Sequence, residues 1–154
     1  MELTQELLKK HFEYRDGNLY RRGSDKPCGY LESSGYLRYS WLGKNYLVHR
    51  LIFLLENGYL PDKVDHKDLN TLNNYTDNLR DATHSDNMCN SLVYSNNQLG
   101  IKNIRRTANG RYQVRIHKNK KTSSKTFINL EDAITWRDEM LPILHGDFAN
   151  KGEK

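Results

Sequence analysis

The sequence has little of what would staple a small scaffold or build one deep core. Among its 154 residues there are only two cysteines, Cys28 and Cys89, with no CxxC pair, and only three prolines. That cysteine count argues against a four-ligand Cys/His zinc site and against a disulfide framework, so the expected setting is intracellular and reducing. Long apolar runs are missing as well. The longest, Leu51 to Leu55, falls far short of a bilayer span, so no membrane partner is expected. No secretory or targeting segment is visible: Met1 to Phe12 reads instead as a short amphipathic helix with Leu3, Leu7, Leu8 and Phe12 on one side. Apolar residues make up 36% of the chain and mean hydropathy is −0.88. A balance that polar suits several small modules better than one deep enzyme fold. Acidic residues are absent where basic ones gather. Ile101 to Thr126 carries nine Lys/Arg and no Asp or Glu, within a chain of net charge +5 and pI about 9.1. That excess favours a polyanionic partner.

What is present falls into three stretches. Residues 13–48 are rich in Gly and Tyr, with turn signals at Asp16-Gly17-Asn18, Ser34-Gly35 and Gly43-Lys44. Alternating segments such as Tyr36 to Trp41 between them predict a small antiparallel sheet. His49 to Asn57 then reads as a helix closed by Gly58. The second stretch, from Pro61 to about Ser91, is crowded with Asp and Asn. It predicts two short strands, Val64 to Lys67 and Leu79 to Ala82, joined by a polar loop, then a helix capped by Ser85 or Asp86. A polar linker is expected over 93–97. In the third stretch Ile104, Tyr112, Val114 and Ile116 alternate with the basic residues, as in strands. Leu130 to Leu144 reads as a covering helix, with Ala133, Trp136, Met140 and Leu144 toward the sheet and Pro142 placed to kink or end it. The fold class is therefore α+β: a β-rich segment over 1–60, a small module over 61–95, and a three-stranded antiparallel sheet plus helix over 96–150.

The chemistry centres on Asp65-His66. Asn78 follows His66 by twelve residues and Asn87 comes nine later, on the expected helix. A helix laid across the two-stranded hairpin would bring Asn87 beside Asp65. A carboxylate oxygen and an amide oxygen make a hard, under-filled ligand set suited to one Mg²⁺ or Mn²⁺ ion per site rather than to zinc. His66, not needed as a ligand, is then available as a general base. Each residue taken singly has a dull explanation, as a structural histidine or a loop asparagine. His49 is read as structural, and His84 as a helix-start residue.

VHRLIF (48–53), VDHKDLN (64–70), NN (73–74), DNLRDAT (77–83) and the trailing Asn87 and Asn90 resemble the HNH homing endonucleases of phages and introns. The resemblance implies a ββα-metal (His-Me finger) nuclease core. It makes His66 the general base, and Asn78 the catalytic-site brace of its loop, with Asn74 as second choice. It makes Asp65 and Asn87 the metal ligands. A second resemblance lies in GIKNIRR (100–106), NGRYQVRI (109–116), KTF (125–127), LEDA (130–133) and HGDFA (145–149). These look like the APETALA-type (ethylene-response-factor) DNA-binding domain, which lays a three-stranded sheet in the major groove. It implies DNA contacts from Arg105, Arg106, Arg111, Tyr112 and Arg115, arginine matching the O6/N7 edge of guanine. Asn103 and Lys125 stand where that domain has glycine, and Tyr112 where it has tryptophan.

The two resemblances together imply a site-specific, metal-dependent endonuclease acting on double-stranded DNA, with 5′-phosphate and 3′-hydroxyl products. It would work in the cytoplasm of a phage-infected or bacterial host cell. A monomer or weak dimer is expected; with one centre per module a monomer would nick unless it dimerises or rebinds. The competing readings are a non-catalytic sequence-specific DNA-binding protein, such as a transcription regulator, and an RNA-binding protein using some of the ten tyrosines.

Overall fold

The computed structural model describes residues 2–152 and has the mixed α+β architecture of small sheets and short helices that the sequence pattern implies. The chain clusters into two compact units, one ending at Thr83 and the other beginning at His84. The 61–95 stretch therefore straddles their boundary.

The first unit opens with helix α1 (Gln5–His11), whose N-cap Thr4 accepts a hydrogen bond from the Leu7 amide at 3.2 Å. It is shorter than the 1–12 pattern suggests, because Phe12 already pairs as strand with Arg21. Strands β1 (Phe12–Arg15) and β2 (Asn18–Arg21) form a hairpin about Asp16-Gly17, both at positive φ. Strands β3 (Tyr30–Leu31), β4 (Leu37–Trp41) and β5 (Lys44–Leu47) form a second antiparallel sheet. The single sheet expected over 13–48 is thus two. Between them the chain folds back on the hairpin, the Cys28 amide bonding to the Leu19 carbonyl at 2.7 Å.

Helix α2 (Val48–Asn57) is the spine of this unit. Val48, Leu51, Ile52, Phe53, Leu54 and Leu55 are all buried, in one cluster with Leu8, Phe12, Leu19, Trp41, Val64 and Leu79. A helix apolar nearly all round must be covered on most sides, and two sheets, α1 and the next hairpin supply that cover. Gly58 ends it at φ 82°, its amide returning to the Leu54 carbonyl. Strands β6 (Lys63–His66) and β7 (Leu79–Ala82) then pair antiparallel, His66 opposite Leu79 and Asp65 opposite Arg80.

The second unit starts with α3 (His84–Cys89), so Ser85 and Asp86 lie inside the first turn rather than capping it. Residues 90–103 form no helix or strand. Strands β8 (Ile104–Arg106), β9 (Tyr112–Lys118) and β10 (Lys121–Phe127) give the expected antiparallel sheet, with β9 central. Helix α4 (Leu130–His145) covers it, and Ile104, Val114, Ile116, Ala133 and Leu141 are the buried core. Pro142 does not end that helix, which runs on to His145. Leu141 and His145, on either side of it, are buried, and His145 Nε2 donates to the His117 carbonyl at 3.1 Å. Those anchors carry the last turn past the missing amide. Among the described residues no helix is long and apolar enough to cross a membrane.

Candidate active site

The first unit gathers polar side chains at the C-terminal end of β6, against the start of α2. Asp65 and His66 are each 4% exposed. Asp65 is held from across the hairpin, where Arg80 directs Nε and Nη2 to the same oxygen, Oδ2, both at 2.8 Å. This is the partner that antiparallel register supplies, since Asp65 and Arg80 are directly opposed.

His66 Nε2 lies 2.9 Å from Asn74 Oδ1, and Asn74 is itself 1% exposed. An amide oxygen only accepts, so Nε2 is the donor of this bond, and in the neutral ring the lone pair is then on Nδ1. That tautomer suits a proton acceptor working through Nδ1. Asn78, the other asparagine, does a different job. Its Nδ2 donates to Asp68 Oδ1 at 2.9 Å and to the Asn73 carbonyl at 2.8 Å, while its Oδ1 accepts from the Asp68 amide at 3.1 Å. It thereby ties both ends of the β6–β7 loop. Asp68 in turn accepts from the Asn70 amide and from Asn73 Nδ2. Partial desolvation raises the Asp68 pKa, but the hydrogen bonds from Asn73, Asn70 and Asn78 outweigh it and hold the carboxyl below its ordinary value. The network also holds Leu69 at φ 63°, a left-handed conformation that costs a non-glycine residue about 1–2 kcal/mol.

A third ring lies against this arrangement. His49, on the first turn of α2 and 4% exposed, meets His66 edge to face with ring centroids 4.9 Å apart. Tyr36 lies 5.3 Å from His49 and 6.0 Å from His66. Burial, then the nearby His66 and Arg50 charges, push the His49 pKa down to about 3, so it is neutral at any working pH. The sequence reading treated His49 as structural and gave Tyr36 and Arg80 no role. The one available signal was that His49 is the only imidazole in an otherwise apolar run from Val48 to Leu55, interrupted elsewhere only by Arg50.

Asn87 lies on α3 in the second unit, with its side chain exposed. Among the described residues, no three His, Cys, Asp or Glu side chains come together as a metal cage.

In the second unit the β8–β9–β10 register sorts the basic residues. Arg105 is opposite Gln113 and Ile104 opposite Val114, so alternation puts Arg105, Gln113, Arg115 and His117 on the face away from α4. Arg105 and Arg115 line a cavity of about 550 Å³ on that face. Tyr112 is on the helix side, half-buried against the core, and Arg106 opposes it. Arg111 is exposed just ahead of β9. Lys102 is turned inward: 7% exposed, it donates to the Cys89 carbonyl at 2.7 Å and the Ser91 carbonyl at 2.5 Å. Desolvation lowers its pKa to about 8, with Cys89 opposing and Arg137 adding to the shift. Asn103, at φ 67°, occupies a left-handed position that glycine or asparagine tolerates.

Residues 46–89 match the family model of the HNH endonucleases. An uncharacterized HNH endonuclease of Acanthamoeba polyphaga mimivirus is 37% identical over 124 residues. That alignment covers 78% of this chain and spans 64% of the viral protein's length. The solved structure of the HNH homing endonuclease I-HmuI, which concerns DNA binding and cleavage, is 26% identical at a TM-score of 0.48, covering 99% of this chain and 95% of that one.

Proposed function

We propose, from the match of residues 46–89 to the HNH endonuclease family model and the likeness to the viral HNH endonuclease, that this chain is a site-specific homing-type endonuclease that nicks double-stranded DNA with the help of a divalent cation. One observation carries the reading: a buried histidine, next to a buried aspartate, whose Nε2–H is committed to Asn74, which in the neutral ring puts the lone pair on Nδ1. His66 accepts the proton of the attacking water through Nδ1. Asn74 fixes the tautomer, and Asn78 keeps the loop that presents Asn74 in shape.

Asp65 and Asn87 are the proposed metal ligands. The donor set fits a hard cation such as Mg²⁺ or Mn²⁺: one carboxylate already oriented by Arg80, one amide oxygen, and no thiolate or imidazole cage among the described residues. A bound ion would neutralise charge on the scissile phosphate and on the departing 3′ oxygen. Arg80 sets the direction of the Asp65 carboxylate from across the hairpin.

The second unit supplies the site-reading surface of this proposal, as an APETALA-type sheet. Arg105 and Arg115, on the face away from α4, would contact bases, with the exposed Arg106 and Arg111 contacting backbone; Tyr112, packed on the helix side of the central strand, would support the sheet rather than touch DNA. The test is incubation of the full-length protein with supercoiled plasmid and with genomic fragments, in Mg²⁺, Mn²⁺, Zn²⁺ or EDTA. Open-circle product in Mg²⁺ or Mn²⁺, abolished by EDTA and by Asp65→Ala, is expected. Plasmid that is bound yet stays supercoiled in every metal would make this a non-catalytic DNA-binding protein. Activity restored by Zn²⁺ alone would overturn the ligand assignment.

A further inference from the structure

In the first unit the mechanism above leaves one buried imidazole, His49, unused. His49 lies in a helix whose other buried side chains, Val48, Leu51, Ile52, Phe53, Leu54 and Leu55, are all apolar and all serve the core. Leucine would fill that volume at least as well, and without a polar ring to desolvate. The histidine occurs where α2 meets the end of β6, and its ring edge is directed at His66 with an interplanar angle of 62° at 4.9 Å. Tyr36 leans on both rings, tilted by 38° to His49 and 48° to His66.

These contacts bear on the orientation of His66. A hydrogen bond at Nε2 ties one edge of an imidazole, while rotation about Cβ–Cγ and tautomer exchange are limited by what packs on the ring. A planar ring packed edge to face against it, itself fixed by a helix and by Tyr36, removes that freedom. An aliphatic side chain has no plane to impose. Burial keeps His49 uncharged, so it restrains His66 without placing a cation beside it. We propose that His49 is a positioning residue for His66: its ring, clamped between the first turn of α2 and Tyr36, holds the His66 imidazole in the orientation that bonds Asn74 through Nε2.

This rests on the reading of His66 as the base, and the experiment separates the two. His49→Leu fills the space and removes the ring; His49→Phe keeps a ring and removes the nitrogens. In full-length protein, single-turnover cleavage with Mg²⁺, DNA affinity in EDTA, and the ring ¹⁵N signals of His66 are measured for each. His49→Leu should cleave about tenfold more slowly, as misplaced catalytic groups do, at DNA affinity within twofold of wild type. Its His66 signals should report a mixture of tautomers. His49→Phe should recover to within about threefold and show the single Nε2–H tautomer. A folded His49→Leu with one tautomer and a rate within threefold of wild type overturns the proposal. So does a His49→Phe variant as slow as His49→Leu, since then the ring alone is not what matters. If the wild-type protein cleaves nothing in any metal, the endonuclease reading fails, and the ¹⁵N signals alone decide whether His49 holds His66.

Discussion

Asn74→Leu is the substitution whose cost follows most directly from the structure. Asn74 is 1% exposed and takes the Nε2–H of His66 at 2.9 Å. Leucine has nearly the same volume, so no large cavity opens and the loop keeps its packing. What disappears is the acceptor, which leaves a donor on a ring 4% exposed without its partner. A buried unsatisfied donor costs about 1–3 kcal/mol. If that whole penalty falls on the productive orientation, and each 1.36 kcal/mol is tenfold in rate, cleavage slows roughly 5- to 150-fold. Asn78→Leu is the instructive contrast, because its three hydrogen bonds go to Asp68 and Asn73 and none to the ring. It should lower thermal stability and raise the protease sensitivity of the loop more than it slows chemistry. The assay is single-turnover cleavage of a linear duplex at saturating protein and Mg²⁺, with affinity measured separately in EDTA. A rate within twofold of wild type for Asn74→Leu, together with a hundredfold loss for Asn78→Leu, would refute the reasoning and return the principal role to Asn78.

Three further outcomes follow. His66→Ala should lose about 10²–10⁴-fold in cleavage while still binding DNA, the ordinary worth of a general base, and a loss below threefold would remove His66 from that role. Stability should fall on acidification. His49 has a pKa of about 3 in the fold against an ordinary 6.5, so the unfolded chain takes up a proton that the folded chain refuses. The stability is fully present above pH 6.5 and is lost toward pH 3, at up to about 1.4 kcal/mol per pH unit, and His145, also pushed down by burial, acts in the same sense. Urea midpoints at pH 7.5, 6.0 and 5.0 should decline, less steeply in His49→Phe; a flat wild-type series would contradict a buried neutral His49. Finally, Arg105→Ala or Arg115→Ala should cost about 1–3 kcal/mol on the cognate site and less on a scrambled duplex, whereas equal losses on both would mark a phosphate contact.

Legibility in the sequence followed the range of the interaction. The β6–β7 hairpin, α2 with its Gly58 cap, and the sheet-plus-helix of the second unit were readable because their signals are local periodicities and turn residues. The division of residues 13–48 into two sheets was not, because it depends on where residues 22–29 fold back, and no periodicity encodes that. The Asp-His pair was conspicuous, and so were the asparagines after it. Which asparagine touches the ring depends on the path of an irregular loop that includes a left-handed leucine, and spacing alone could not decide it. Charge counting also overreached, since Lys102, one of the nine cationic residues counted toward a polyanionic partner, is turned inward.

The structure makes Lys102 a different kind of residue, and this can be tested apart from any activity. Its ammonium is buried and spends two donors on the Cys89 and Ser91 carbonyls, just past the end of α3, where helix carbonyls lack intrahelical partners. Arg137 completes the tie by donating to the Lys102 carbonyl at 3.0 Å. A cation committed in this way displaces no counterions when DNA binds. Each phosphate contact contributes about −0.9 to the slope of log affinity against log salt. Lys102→Met should therefore leave that slope unchanged, while the exposed Arg106→Ala should flatten it by about one contact if Arg106 meets a phosphate. Lys102→Met should also lower the melting temperature, since the buried Cys89 carbonyl loses its donor at about 1–3 kcal/mol and the part-buried Ser91 carbonyl loses its own at less. Binding titrations at several salt concentrations, paired with thermal melts, separate the two residues. A flattened slope with an unchanged melting temperature in Lys102→Met would mean that this lysine faces DNA after all, and that the tie it makes to α3 contributes nothing to the fold.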